Sequence, residues 1–317
     1  MKRITRINPV PKLFLAPLVG MALACGIGRA DDAGQSHFAT PEDALAALTK
    51  AVQAKDADGL RNVFGPAYLE ITDPDPVERE NSLTKFASHL AEAARLTNKN
   101  ENSAILIVGE EKWPFPIPLM KKNDKWFFDT PAGKEEILKR RIGKDEISAI
   151  DVCRAYVQAQ RQYALIDRNS DGVIEYAQKL KSSPGLQDGL YWDSKPGEEE
   201  SPFGPLVATA HAEGYDKKNT SEGVMQTSEP FHGYLFRILT KQGEKAPGGK
   251  YDYVINGHMV AGYALLAYPA EWGNSGVMTF IVNQLGKVFQ KDLGKKTADL
   301  LWQINEYDPD ETWQPAE

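Results

Sequence analysis

Cysteine is nearly absent from this chain. Only Cys25 and Cys153 occur in 317 residues, so there is no C-x-x-C pair, and a zinc ribbon or a thioredoxin-like redox centre is excluded. The five histidines, His37, His89, His211, His232 and His258, are scattered, with no two at metal-ligand spacing. No glycine-rich phosphate loop opens a helix, and "WGNSGVM" carries Ser275 without the closing glycine of a nucleophile elbow. Nothing therefore indicates a nucleotide cofactor or a serine hydrolase. Positive charge is also scarce, with 37 Lys and Arg against 44 Asp and Glu. Long apolar runs are missing beyond the first thirty residues, so no later segment reads as a membrane-spanning helix.

The chain begins with what reads as a leader. Lys2, Arg3, Arg6 and Lys12 precede the apolar run "LFLAPLVGMALACGIG", which is too short and too interrupted for a permanent span, and the small residues Gly28 and Ala30 bracket Arg29. This pattern predicts an export signal over residues 1–30 and a periplasmic or secreted protein starting at Asp31. A lipoprotein anchored through Cys25 is the rival reading, weakened by Ala22 where a lipobox wants Leu. The leader takes five basic residues and no acidic ones, which leaves 32 positive against 44 negative charges, a net of −12. Such a balance argues against nucleic acid or anionic lipid as a partner. Cys153 then remains alone, unable to form an internal disulfide, and its place in an amphipathic stretch reads as a buried structural thiol.

Two halves are expected along the chain, residues 31–143 and 144–317, both α+β. In the first, Thr40 is placed to cap a helix that opens with Pro41, Glu42 and Asp43 and repeats Ala44, Leu45, Leu48 and Val52 on one face. A second helical stretch lies around "LTKFASHLAEAARL". Short strands follow in "SAILIVG", "WPFPIPLMKK" and "KWFFDT", the last two joined as a hairpin through Asn123 and Asp124. Pro114, Pro116 and Pro118 suit an edge strand. In the second half, residues 134–166 read as helical with a break at Gly143, and Ile147, Ile150, Cys153, Val157 and Ala164 form one apolar stripe beside Tyr156 and Tyr163. Strand-like runs "GYLFRILT", "YDYVIN", "YALLAYP", "VMTFIVN" and "KVFQ" then predict an antiparallel sheet under this helix, its last hairpin turning at Gln284, Leu285 and Gly286.

One stretch carries a possible metal chemistry. "DRNSDGVIEYAQ" puts Asp167, Asn169 and Asp171 at the first, third and fifth positions of a twelve-residue window, Gly172 at the sixth and the Val173 carbonyl at the seventh. That is the donor order of an EF-hand-type calcium loop, except that Gln178 stands where a bidentate Glu belongs. A neutral amide gives one oxygen for two charged ones. Weak calcium binding is therefore expected, with Glu175 or a nearby carboxylate such as Asp188 completing the shell. The competing reading is a polar turn that ends a helix.

The stretches "WPFPIPLMKKNDKWFFDTPAGKEEILKRRIGKDEISAIDVCRAYVQAQRQYA", "DGVIEYAQKLKSSPGLQDGLYW", "GYLFRIL" and "GYALLAYPAEWGNSGVMTFIVNQLGKVFQKDLG" resemble domain-of-unknown-function family 2950, a group of exported bacterial proteins. The resemblance implies an extracytoplasmic location and brings no activity. The later half is also similar in layout to the globular domain of type IV pilins and pseudopilins, and the first half loosely to nuclear-transport-factor-2-like domains. Trp113, Trp126, Tyr191, Trp192, Trp272, Trp302 and Trp313 are numerous for an acidic chain, and several lie in Pro- and Gly-rich loops, where aromatics can anchor a partner. The expected function is non-enzymatic binding of an envelope protein or glycan. The alternative is an enzyme of unknown chemistry on the later-half sheet, where His232 and His258 are expected to approach a shared surface.

Overall fold

A computed structural model describes residues 34–195, 197–215 and 230–316. The leader expected over residues 1–30, and Cys25 with it, lies outside the described residues. Among the described residues no helix is long and apolar enough to cross a membrane.

The first half follows its local signals closely. Thr40 caps α1 (Pro41–Gln53) in a reciprocal box with Asp43, and Ala44, Leu48, Ala51 and Val52 are buried. Helices α2 (Ala57–Phe64), α3 (Tyr68–Ile71) and α4 (Pro76–Glu92) follow. The helix expected to run to Leu96 stops earlier, because Ala93 is extended and Ala94–Asn100 forms strand β1 against β2 (Ser103–Val108). Pairing with a buried strand overrides the weak helical preference of "ARLTNKN". Strands β3 (Trp113–Pro114), β4 (Leu119–Lys122) and β5 (Lys125–Phe128) complete an antiparallel sheet of order β1-β2-β4-β5, with β3 paired to β2. Its hairpin turns at Asn123 and Asp124, both at positive φ as such a two-residue turn requires.

The second half is built on α5 (Thr130–Tyr163), a single helix that passes through Gly143 without a break. No side chain crowds Gly143, so nothing there bends the chain. The apolar stripe is corrected at one end: Ile147 is 63% exposed, and the buried face runs through Ala149, Ile150, Val152, Cys153, Tyr156, Val157, Ala159, Gln160 and Tyr163. Cys153 is fully buried, and burial pushes its thiol up to about 12, so it is inert, as expected of a structural thiol.

This face lies on an antiparallel sheet of order β14-β13-β12-β11-β6. Its strands are β6 (Tyr234–Leu239), β11 (Ala264–Pro269), β12 (Met278–Asn283), β13 (Phe289–Asp292) and β14 (Gln314–Pro315). Tyr156 donates to the Ala264 carbonyl at 3.2 Å and Tyr263 returns a bond to the Val157 carbonyl at 3.3 Å, which fixes the helix on the sheet through buried hydroxyls. Two ribbons, β7 (Lys241–Gln242) with β8 (Tyr251–Asp252) and β9 (Val254–Ile255) with β10 (His258–Met259), and helix α6 (Gly204–Ala212) complete the half.

Two apolar cores result, one under the first sheet and one between α5 and the second sheet. The boundary expected at residue 143 falls inside α5, and the described residues form one compact unit.

Candidate functional site

The acidic stretch folds as a loop directly after α5. Three backbone bonds shape it: Gly172 donates to Asp167 Oδ2 at 2.8 Å, Asp171 to Asn169 Oδ1 at 3.2 Å and Val173 to Asp171 Oδ1 at 2.8 Å. Gly172 has φ +89, a conformation that glycine adopts without strain. Each carboxylate so used keeps a second oxygen. Asp167 Oδ1 is buried with no hydrogen-bond partner. Asp171 Oδ2 accepts from Asn169 Nδ2 at 2.7 Å, and the same amide reaches Glu175 Oε1 at 3.3 Å.

A histidine joins this group from elsewhere in the chain. His258, on β10, holds Nδ1 at 3.6 Å from Asp171 Oδ2 and 3.4 Å from Glu175 Oε2, and the three side chains could share one ion. The structure thus brings Asp167, Asn169, Asp171, Val173 and Glu175 into one loop. It turns Gln178 away, with Nε2 donating to the Gly257 carbonyl at 2.6 Å. Asp188 is turned away too, paired with Lys179 at 2.6 Å and accepting from the Ser183 amide. Carboxylate oxygens suit calcium, and His258 adds a nitrogen that suits a borderline metal better.

Arg168, the second residue of the loop, connects it to a groove. Its guanidinium lies 5.0 Å from the Tyr163 ring centre and 4.9 Å from that of Trp192, and it pairs with Glu199 at 3.0 Å. With 3% of the side chain exposed, it supports Trp192 and Glu199 from behind and is not a free cation. Beyond it opens a groove of about 490 Å³, lined among others by Ser183, Pro184, Leu186, Tyr191, Trp192 and Glu198. Tyr191 donates to Asp193 at 2.9 Å, and burial together with that carboxylate pushes its phenol up to about 12. Volume and mixed lining are those of a small polar ligand or one segment of a larger one.

A second polar cluster lies where the two halves meet, at a seam that sequence reasoning missed. Asp75 caps α4 and is fully buried, accepting from Val77 and Glu78 amides, from Tyr215 Oη at 2.7 Å and from the Gly233 amide at 3.3 Å. Glu78 receives His232 Nδ1 at 2.6 Å and Lys144, while His232 Nε2 lies 2.9 Å from Glu213. Burial would push the Glu78 carboxyl up. The bonds from His232 and Lys144 outweigh it and hold the group at about 2. Arg141 pairs with Asp73 at 3.1 Å and donates to the Ile71 and Thr72 carbonyls and to Asn274. His232 and His258 thus belong to separate clusters and do not share the expected surface.

These parts describe an α+β protein with an acid-rich loop and a mixed groove on one half and an ion-paired seam between the halves. Residues 35–316 match the family described as protein of unknown function (DUF2950), and the chain belongs to that family. No curated protein and no solved structure matches it, so the pilin-like and nuclear-transport-factor-2-like resemblances gain no support.

Proposed function

We propose that this chain is a non-enzymatic binding protein that works outside the cytoplasm, seating calcium in the 167–178 loop and holding an envelope glycan or protein segment in the adjoining groove. The observation that carries this reading is Arg168, which belongs to the loop in sequence and stacks on Trp192 and pairs with Glu199, two residues that line the groove. A cation drawn to Asp171 and Glu175, with His258 beside them, would relieve the mutual repulsion of these two carboxylates and stiffen the loop that Asp167 closes on Gly172. Arg168 would then hold Trp192 and Glu199 in one position, and a preformed groove loses less entropy on binding.

Tryptophan fluorescence and thermal melting with calcium or chelator test this coupling. Calcium should raise the melting temperature and change the emission, whereas Asp171→Ala should abolish both effects. Arg168→Ala should keep the stabilisation and lose the emission change. Identical melts in calcium and chelator would overturn the loop reading. An unchanged emission beside a real stabilisation would overturn the link to the groove.

A further inference from the structure

Apart from Asp75, which amides and a tyrosine hold, the seam contains one carboxylate that none of its ion pairs uses. Asp145, on α5, is 1% exposed, and its Oδ2 has no hydrogen-bond partner. The nearby basic side chains are engaged elsewhere: Arg141 with Asp73, Lys144 with Glu78, and His232 between Glu78 and Glu213. There is no spare room either. A Cβ built on Gly233 would stand 2.7 Å from Asp145 Oδ2 and 2.8 Å from the Ser275 side chain.

The groups that face Asp145 are two acids, two bases and a tyrosine. Asp73 acts on it from the segment before α4 and Glu78 from the first turn of α4, Arg141 and Lys144 from its own helix, and Tyr234 from β6. A charge at this position would be desolvated, with Oδ2 unpartnered, beside two like charges, whereas the neutral acid avoids the charge desolvation and the repulsion. We propose that Asp145 is a buried proton-binding site that couples the packing of the two halves to pH. With its proton the seam is closed. Release of the proton to solvent leaves a charge that repels Asp73 and Glu78 and loosens the contact between the start of α4, α5 and the turn at His232 and Gly233.

Burial first, then Asp73 and Glu78, push the Asp145 carboxyl up to about 8, against the opposing pull of Lys144 and Arg141. The folded form therefore keeps a proton that the unfolded chain has already lost. Stability from this group is complete below the ordinary carboxylate range and is lost as pH rises through about 8, by up to about tenfold in the folding equilibrium per pH unit across that window. The inference does not depend on the calcium loop or on the groove.

The test uses the full chain labelled with ¹³C at aspartate carboxyls. One carboxyl should titrate near pH 8 in the wild type and be missing from Asp145→Asn. Backbone amides of Asp75, Val77, Glu78 and residues 231–234, corrected for intrinsic exchange, should lose protection progressively as pH rises from the ordinary carboxylate range to that midpoint in the wild type and keep it in the variant. If every aspartate carboxyl titrates in the ordinary acidic range, the site does not exist, and the wild type alone decides that point. A midpoint near 8 without any change in seam exchange would overturn the coupling.

Discussion

The seam and the 167–178 loop are both rich in carboxylates, yet they do opposite things with them. At the seam Asp75, Glu78 and Asp145 are buried, and Asp75 and Glu78 have their oxygens committed to amides, a tyrosine, a lysine and a histidine. In the loop Asn169 and Asp171 are exposed and bond mainly to their own turn, with His258 beside them. Burial makes each seam charge a determinant of stability, because water cannot replace a lost partner. Exposure leaves Asp171 available to an ion at little cost to the fold. The same residue type is thus structural in one place and open to a ligand in the other, and accessibility decides which.

Among substitutions in the two regions, the largest effect belongs to Asp75. Asp75→Ala would strand the Tyr215 hydroxyl and the amides of Val77, Glu78 and Gly233. A loss of about 3–5 kcal/mol in urea unfolding is expected. Gly233→Ala comes next. At φ +70 and with Asp145 and Ser275 under 3 Å from the new Cβ, it should cost about 2–4 kcal/mol by the same measurement.

Glu78 separates the seam from the loop by its response to pH. Its folded-state value of about 2 lies below the unfolded one, so its contribution is present above the ordinary glutamate range and is lost as pH falls through about 2. Glu78→Gln should remove about 2–3 kcal/mol at neutral pH and flatten the acid limb of the stability profile, while the loop substitution Asp171→Ala leaves that limb unchanged. The loop effects are smaller. Calcium at about ten times its Kd should add about 1.4 kcal/mol in the wild type and nothing in Asp167→Ala, as read by thermal melts. Least affected should be Ile147→Ser on the exposed side of α5, within about 0.5 kcal/mol of the wild type in urea.

Much of the fold was legible in the chain. The capping box at Thr40, the Asn123–Asp124 turn and the hairpin at Gln284–Gly286 are local devices, and each appears where its residues stand. The failures have a common cause. Strand β1 and the uninterrupted α5 depend on what lies against them, and neither "ARLTNKN" nor Gly143 shows its neighbours. Asp145 offered one overlooked signal. It stands four residues before Ala149, on the face that continues to Val152 and Tyr156, and so belongs to the buried stripe extended one turn upstream.

The loop was found because its donors are contiguous, and His258 was not assigned to it because it arrives from 80 or so residues away on a hairpin. By itself the sequence determined the α+β class, the caps and turns, the inert thiol and the order of donors from Asp167 to Glu175, all of which depend on residues within a few positions of one another. Only the tertiary structure decided that Gln178 bonds to Gly257, that Arg168 stacks on Trp192, and that Asp73, Glu78, Asp145 and His232 meet at one seam. The physical reason is that burial and the pairing of distant charges are properties of packing, and packing is settled only when both halves close on α5.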